Sequence, residues 1–431
     1  MTVDVLRRPA SAERQARVAV AVLFFTNGAL FANLLPRYPQ IKADLGIGNA
    51  AYGLAVAAFP AGAIAAGLAA GVVIRRMGSA RAAVAGTLLT GAGILVAGLA
   101  DSVVLFAAAL FLAGAMDAVT DVAQNAHGLR VQRRYGRSII NSFHAIWSIG
   151  AVAGGSMAAA AIALDLSRGQ HLAISGVVFA VAACVALRFC LSGPETETET
   201  ETEDEAGAGA GAEPVADLGP AAGPTSKSGP DDRAGRRTGR PTPGRRTAYV
   251  LAALVLIATA GTLVEDAGSS WAALYLSGSL SASVTLAASG YIALVGAQFV
   301  GRIIGDRLVD KFGQRTVARA GGLIVVAGMG LALAVPTVPG TILGFAAAGF
   351  GVATLVPAAM HEADELPGLK PGSGLAIVSW LMRLGFLLSP PVVGLVADAA
   401  SLRVGLLVVP LAGLLVLLLA GVLQPRRRKG L

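Results

Sequence analysis

Twelve stretches of this chain are long and apolar enough to cross a bilayer, which leaves it few possible folds. A helix needs about 20 apolar residues to span the hydrocarbon core. With glycine counted as apolar, the expected helices cover 18–36, 52–74, 80–100, 103–126, 138–163, 169–191, 248–276, 286–306, 316–335, 337–360, 372–398 and 402–423. In lipid every backbone N–H and C=O must be satisfied internally, so spans are helices or strands of a closed barrel. Composition decides between them. Aromatic residues are 5% of the chain whereas glycine occurs 55 times, which suits closely packed helices and not the aromatic girdles of a porin. With 55% hydrophobic and 14% charged residues and a mean hydropathy of +0.68, a soluble globular fold is excluded. The basic start MTVDVLRRPASAERQAR precedes an apolar run from Val18 with no small-x-small cleavage site, so the first helix is expected to be uncleaved.

Lys and Arg should crowd the cytoplasmic connections. With the N-terminus inside, the inner connections carry Arg7, Arg8, Arg14, Arg17, Arg75, Arg76, Arg81, Arg130, Arg133, Arg134, Arg137, Arg307, Lys311, Arg315, Arg319, Lys370 and Arg426 to Lys429. The outer ones carry Arg37, Lys42, Arg168 and Arg403. Both termini are therefore expected on the cytoplasmic side of a cell membrane. The formal charge of +8 needs no nucleic acid to explain it, since these clusters sit between apolar runs. Cys184 and Cys190 share one apolar run on roughly opposite helix faces, which excludes a disulfide between them.

Residues 1–17 form a short cytoplasmic segment, 18–191 one six-helix half, 248–423 the other, and 424–431 a basic tail. Between the halves, 192–247 runs from acidic ETETETETEDE through Gly, Ala and Pro to basic RAGRRTGRPTPGRR, a composition that cannot bury a core; a disordered cytoplasmic linker is expected. The halves align at an offset of 235, which sets Gly78 on Gly313, Gly114 on Gly349 and Gly150 on Gly385. Three matches in order, on corresponding helices, point to a duplicated six-helix unit.

Two six-helix halves, a central linker and a basic glycine turn after the second helix of each half resemble the major facilitator superfamily. Its turn usually reads G-x-x-x-D-R-x-G-R-R. The second half has DRLVDKFGQR, with Asp310, Lys311, Gly313 and Arg315; the first has GVVIRRMGSAR, with Gly71, Arg76 and Gly78, and Arg75 where the acid belongs. The resemblance implies that these turns take part in gating. NSFHAIWSIG, EDAGSSWAALYL and LSPPVVG look like a fucose-permease-like bacterial branch. Sugar/proton symporters of that group carry an acid four residues before an asparagine in the fourth helix, as Asp121 and Asn125 do here; their acid in the first helix has no counterpart in TNGALFANLLP. The drug antiporter pattern of the fifth helix lacks its proline in GAVAGGSMAA.

A charged side chain near the bilayer centre costs about 2.5–3.5 kcal/mol on insertion scales, so each needs a partner, a water-filled cavity or a neutral state. In GAMDAVTDVAQNAHG, spacings of four put Asp117, Asp121 and Asn125 on one helix face. Entry near Val103 puts Asp117 roughly 21 Å deep and Asp121 roughly 27 Å deep at about 1.5 Å per residue. Two readings of Asp121 stay open: a pathway acid, or a structural partner of Arg130 or Arg134. The fifth helix offers Asn141, His144 and Ser148 beside Trp147, polar groups on an aromatic platform as polar cargo requires. The seventh carries Glu265 between Thr262 and Ser269, with Asp266 beside it; the eighth carries Gln298 and Arg302, the eleventh Ser379 and Arg383. Arg302 and Arg383 are the expected counter-ions of the buried acids; Arg383, mid-helix, is expected to reach the cavity, and Arg302 to serve Asp306 or the fourth helix. Asn27 and Asn33 in the first helix are weaker candidates; six positions apart they cannot share one stripe, so at least one of them is expected to be interhelical glue.

No G-x4-G-K-[ST] loop exists to drive ATP-dependent pumping, and His127, His171 and His361 lack metal-ligand spacing. No cofactor or metal is expected, and no enzyme. The expected function is a secondary transporter that alternates access to a small polar solute, a sugar by resemblance, with protons taken up and released among Asp117, Asp121 and Glu265 under the influence of Arg383. Substrate candidates are Asn27, Asn125, Asn141, His144, Trp147, Ser148, Gln298 and Ser379. The partners implied are the solute, membrane lipid and protons, and a monomer is expected. An exporter of drugs or metabolites and a non-transporting sensor are the alternatives.

Overall fold

The computed structural model describes residues 11–67, 69–135, 139–192, 244–369 and 373–424, and only the backbone of Asn141. Most of the linker expected over 192–247, together with Arg7, Arg8, Arg137, Lys370 and the tail 425–431, lies outside them. The described chain is all α, with twelve membrane-length helices: α1 (Ser11–Asp44), α2 (Asn49–Gly67), α3 (Ser79–Leu99), α4 (Val103–Tyr135), α5 (Ser142–Ala163), α6 (Arg168–Leu187), α7 (Arg245–Ser279), α8 (Val284–Phe312), α9 (Gln314–Ala334), α10 (Val338–Asp364), α11 (Ser373–Ala399) and α12 (Leu402–Val422). Each expected span finds its helix. The helices are longer where polar sequence continues the winding: α1 starts ahead of 18, α4 runs past 126 and α7 starts ahead of 248. Hydropathy marks where a helix meets lipid, and the backbone hydrogen bonds continue beyond that limit. The second span, expected as one helix, breaks into Asn49–Val56, Ala58–Gly67 and Ala70–Met77.

The helices form two pseudo-symmetric halves of six, and the three aligned glycine pairs share their structural roles. Gly78 and Gly313 adopt φ 83°, ψ 150° and φ 84°, ψ 153°, a region closed to side chains, and each starts the next helix. A Cβ on Gly114 would collide with the carbonyl of Phe59, and one on Gly349 with that of Leu294; these two carbonyls are themselves related by the offset of 235. Gly150 presses on the Phe25 carbonyl of α1 and Gly385 on Thr259 and Thr262 of α7. Missing Cβ atoms let helix backbones approach where no hydrophobic force drives them together. At the other end Ser102 and Thr337 cap α4 and α10 through the N–H groups of Leu105 and Gly340, again at that offset. Large apolar side chains such as Val104, Leu112, Leu331, Leu343 and Leu418 are more than half exposed, as a lipid-facing surface requires.

The two ends of the bundle differ. One carries the basic turns around Gly78 and Gly313, and the other carries the connections from α1 to α2 and from α7 to α8. At this opposite end the halves close on one another. Gly53 of α2 abuts the Pro390 carbonyl, and Gly394 of α11 abuts that of Asn49. Asp398 of α11 accepts hydrogen bonds from the backbone and side-chain nitrogens of Asn49, both at 2.9 Å, and from the Ala50 N–H at 2.8 Å. The N-terminus of α2 is thus capped by the other half of the molecule. Along α5 and α8 contact extends from Gly155 against Tyr291 to Ser148 against Arg302. Between that pair and the basic end no hydrogen bond joins the halves among the described residues, and Asp121 and His144 are exposed. The space between the halves opens toward the basic turns.

Candidate functional site

Two polar clusters face each other across this space, one from each half. In the first, Asn27 of α1 stands between α4 and α5. Its Nδ2 donates to Asp117 Oδ1 at 2.7 Å, and its Oδ1 accepts from Trp147 Nε1 at 2.8 Å. Both faces of one buried amide are used, so the carboxylate and the indole are fixed relative to each other. Gly28, Gly150 and Gly154 permit this by letting α1 and α5 touch backbone to backbone. One turn toward the basic end, Asn125 donates to Asp121 Oδ1 at 3.1 Å and to its carbonyl at 2.9 Å. His144 of α5 stands near Asp121 on its own half, and Arg383 of α11 near it on the other. Neither Arg130 nor Arg134 serves it in a hydrogen bond among the described residues; Arg130 donates to Ser192 O at 2.9 Å.

In the second half Gln298 of α8 donates to Glu265 Oε2 of α7 at 2.7 Å, and Arg302 Nη2 lies 3.7 Å from the same oxygen. Arg302 is thus a counter-ion of a buried acid, as expected, but that acid is Glu265 of α7 and not Asp306 or an acid of α4. Residues 298 and 302 are one turn apart, so both present to the same carboxylate. Arg302 Nη1 also reaches Ser148 Oγ at 3.5 Å, a long contact that joins the clusters across the halves. Arg383 makes no ion pair within 4 Å among the described residues, so the counter-ion of Glu265 is Arg302. Arg383 opens the segment Arg383–Ala399 just after α11 breaks at Met382, whose carbonyl accepts from Thr262 Oγ1 at 2.8 Å. Ser379 is half-buried and outside the network, and the side chain of Asn141 is outside the described residues.

Other polar residues lie outside the two clusters. Arg37, counted from sequence as an outer-loop cation, is buried and donates to Leu166 O at 2.9 Å, Gln40 Oε1 at 3.0 Å and His171 Nδ1 at 3.4 Å. A guanidinium only donates, so Nδ1 accepts and the His171 Nε2–H must point to Asn33 Oδ1, 2.8 Å away. Of the two asparagines of α1, Asn33 is thus one that glues helices, α1 to α6. At the basic end, Arg315 Nε donates to Leu423 O at 3.0 Å and its N–H to Gln424 O at 3.1 Å, tying the glycine turn to the end of α12. Asp310 is exposed, Lys311 lies over the Phe312 ring with 5.2 Å to its centroid, and Gly71 and Arg76 occupy the matching segment Ala70–Met77.

Two groups of functional interest were missed from sequence. His127 accepts the Leu191 N–H at 3.3 Å and contacts Ser79 Oγ at 2.9 Å, while Glu362, at the offset of 235, accepts the Gln424 N–H at 3.2 Å. These residues clamp the last helix of each half, and only the alignment of the halves could have singled out the pair. The other group is an aromatic plug at the opposite end. Tyr52 donates to Ser270 O at 2.8 Å, and its ring lies edge-on to Trp271 and Tyr38, with centroids 4.9 Å and 5.6 Å away.

The family model described as Major Facilitator Superfamily matches residues 20–360 and 250–431. The chain belongs to this superfamily. Among curated proteins it is 28% identical to the uncharacterized transporter y4wD of Sinorhizobium fredii, covering 94% of this chain and 97% of that one. It is 26% identical to the membrane protein MosC of Rhizobium meliloti, covering 96% and 91%. Among solved structures it resembles a bacterial homologue of the human lysosomal transporter Spinster in an inward-facing, unoccupied conformation, with TM-score 0.69, 13% identity and coverage of 97% and 99%. It also resembles a D-xylose–proton symporter, with TM-score 0.65, 15% identity and coverage of 95% and 96%. These likenesses show the fold. The protein is a membrane transporter and not an enzyme, and its two six-helix halves are those of the superfamily.

Proposed function

We propose that this transporter moves a small polar solute, a sugar in the leading reading, across the bacterial cytoplasmic membrane by alternating access coupled to protons. The carrying observation is the pair of facing clusters, Asn27–Asp117–Trp147 and Glu265–Gln298–Arg302, bridged by the contact of Arg302 with Ser148. Each half contributes a carboxylate and a side-chain amide, the hydrogen-bonding equipment that orients a polyhydroxylated molecule, and Trp147 adds a flat apolar face for a sugar ring. Rocking of the halves would break the Asp398 cap and the Tyr52 contact while bringing the basic turns together. Asp117, Asp121 and Glu265 would then exchange protons as the site changes sides, with Arg302 and Arg383 as the cations that move relative to them.

The fucose-permease-like sequence features support the sugar reading, and the basic turns support an orientation with both termini in the cytoplasm and the site facing inward in this conformation. The bridge between the halves is contained within one chain, which supports a monomer as the working unit. Uptake of a panel of radiolabelled monosaccharides and polyols into proteoliposomes is the test. At least one should enter saturably and faster under an inward proton gradient. Transport confined to amphiphilic cations would favour the exporter, and absence of flux for every solute would favour the sensor.

A further inference from the structure

On the outer face of the second half, toward the basic end, an apolar crevice of about 200 Å³ lies between α8, α9 and α10. Leu308 and Phe312 of α8, Ala320 and Ile324 of α9 and Phe350 of α10 form its walls. Glycines create it. Gly321 of α9 and Gly351 of α10 press on each other's carbonyls, and Gly301 of α8 presses on Ala353 and on the Phe350 carbonyl, so the three backbones meet without side chains between them. The offset of 235 sets Met116 on Gly351 and Arg81 on Thr316, so the first half carries long side chains at two places where the second carries none. The crevice belongs to one half only in its sequence.

Its polar side chains are two hydroxyls. Thr316 is exposed near the first turn of α9, and Thr354 stands where α10 is interrupted, with the Ala353 N–H reaching Phe350 O only at 3.4 Å. At the mouth Lys311 lies over the Phe312 ring, its Nζ 5.2 Å from the centroid, and makes no ion pair within 4 Å among the described residues. The acids nearby point elsewhere or are taken. Asp306 and Asp310 project roughly 140° and 180° round α8 from the row of Leu308 and Phe312, at about 100° per residue. Glu365 of α10 is held by Gln424 and His361. Arg315 and Arg319 add positive charge at the same level.

A lipid tail is as apolar as these walls, so a chain entering the crevice gains packing and nothing more. Selection among lipids therefore has to come from the headgroup. A free ammonium and a hydroxyl at the depth where helices leave the hydrocarbon suit a phosphate, and a basic rim favours lipids of net negative charge. The volume lies below the roughly 300–1,000 Å³ typical of pockets for drug-sized ligands, and it suits a narrow chain.

We propose that the crevice binds an anionic phospholipid of the leaflet on the basic side: one acyl chain lies between α8, α9 and α10, and the headgroup phosphate pairs with Lys311 and accepts from Thr316. The site is separate from the solute site and independent of the cargo.

A phosphatidylglycerol with a photoactivatable diazirine in the middle of one acyl chain tests this, with the full chain in proteoliposomes of phosphatidylethanolamine and phosphatidylglycerol. After irradiation, peptide mass spectrometry should find the label on residues 308–324 and 350–354 several times denser than around Val177 and Val181, which are equally open to lipid on α6. Excess unlabelled phosphatidylglycerol should suppress it, and phosphatidylcholine with the same chains should not. Ala320→Trp fills the crevice and should lower its label severalfold, whereas Leu331→Trp, exposed on α9 outside the crevice, should label as the parent does. If Ala320→Trp does not fold, Thr316→Trp at the exposed mouth takes its place. Lys311→Gln should keep the chain but lose the preference for phosphatidylglycerol over phosphatidylcholine. The site is overturned by label spread evenly over the lipid-facing helices, by equal suppression with both lipids in the parent, by unaltered labelling in the tryptophan variant, or by an undiminished preference in Lys311→Gln. Cross-links that join two copies of the chain at this surface would also overturn it, in favour of a dimer contact.

Discussion

Replacing Asp117 by alanine should weaken solute binding by about tenfold to a hundredfold, the equivalent of one charge-assisted hydrogen bond at about 1.5–3 kcal/mol. The change removes a carboxylate and also releases Asn27, whose Nδ2 then has no acceptor at 2.7 Å, so the amide can turn and Trp147 loses its anchor. Asp117→Asn should behave differently. An amide oxygen at that position still accepts from Asn27, so the aromatic platform stays in place and KM changes little, while the response of uptake to a proton gradient is lost if Asp117 carries a proton. Concentration series of uptake with and without the gradient separate the two. Equal KM for the alanine variant and the parent would remove Asp117 from the site.

Gly114→Val should prevent the protein from accumulating in folded form. Its Cβ would fall on the carbonyl of Phe59, and a helix backbone cannot yield as a side chain does. Overpacking of this kind costs about 1–3 kcal/mol or more, and here it separates α2 from α4 along their whole contact. Gly349→Val should do the same between α8 and α10 through Leu294. Gly176 has no atom within 4 Å of its missing Cβ, so Gly176→Val is the matched control and should melt with the parent. Size-exclusion profiles and thermal melts in detergent compare them. A well-folded Gly114→Val protein would mean that α2 and α4 do not pack as described.

The architecture was legible because lipid imposes it. A hydrocarbon layer of fixed thickness demands a fixed length of apolar helix, so counting apolar residues located all twelve spans. The glycine pairs were legible for a related reason: the offset that aligns Gly114 with Gly349 also relates the carbonyls they touch, because both halves solve the same packing problem. Helix breaks were less visible. The interruptions near Ala57 and Met382 depend on bonds such as Thr262 to the Met382 carbonyl, which join segments distant in sequence.

The site was half legible. That Asp117 and Glu265 are too costly to face lipid follows from their position in apolar runs. Their partners do not follow, because periodicity gives the face of a helix but not its height against a neighbour. Asn27 therefore looked like a weak candidate and is the centre of the first cluster, while Arg302, expected to serve Asp306 or α4, is the counter-ion of Glu265. Asp266 was hidden behind its neighbour: two adjacent acids on a helix point about 100° apart, and only the packing of α2 and α11 shows that one faces the site and the other the plug, beside Ser270.

The central claim is that carboxylates in facing halves of one site couple solute movement to protons. Proteoliposomes containing a pH-sensitive dye, given a solute that the uptake panel has identified, test it most directly. Solute entry should acidify the lumen in the parent protein, and the combined variant Asp117→Asn, Asp121→Asn, Glu265→Gln should bind solute without moving protons. An unchanged pH signal and an unchanged pH dependence of transport in the combined variant would contradict the claim.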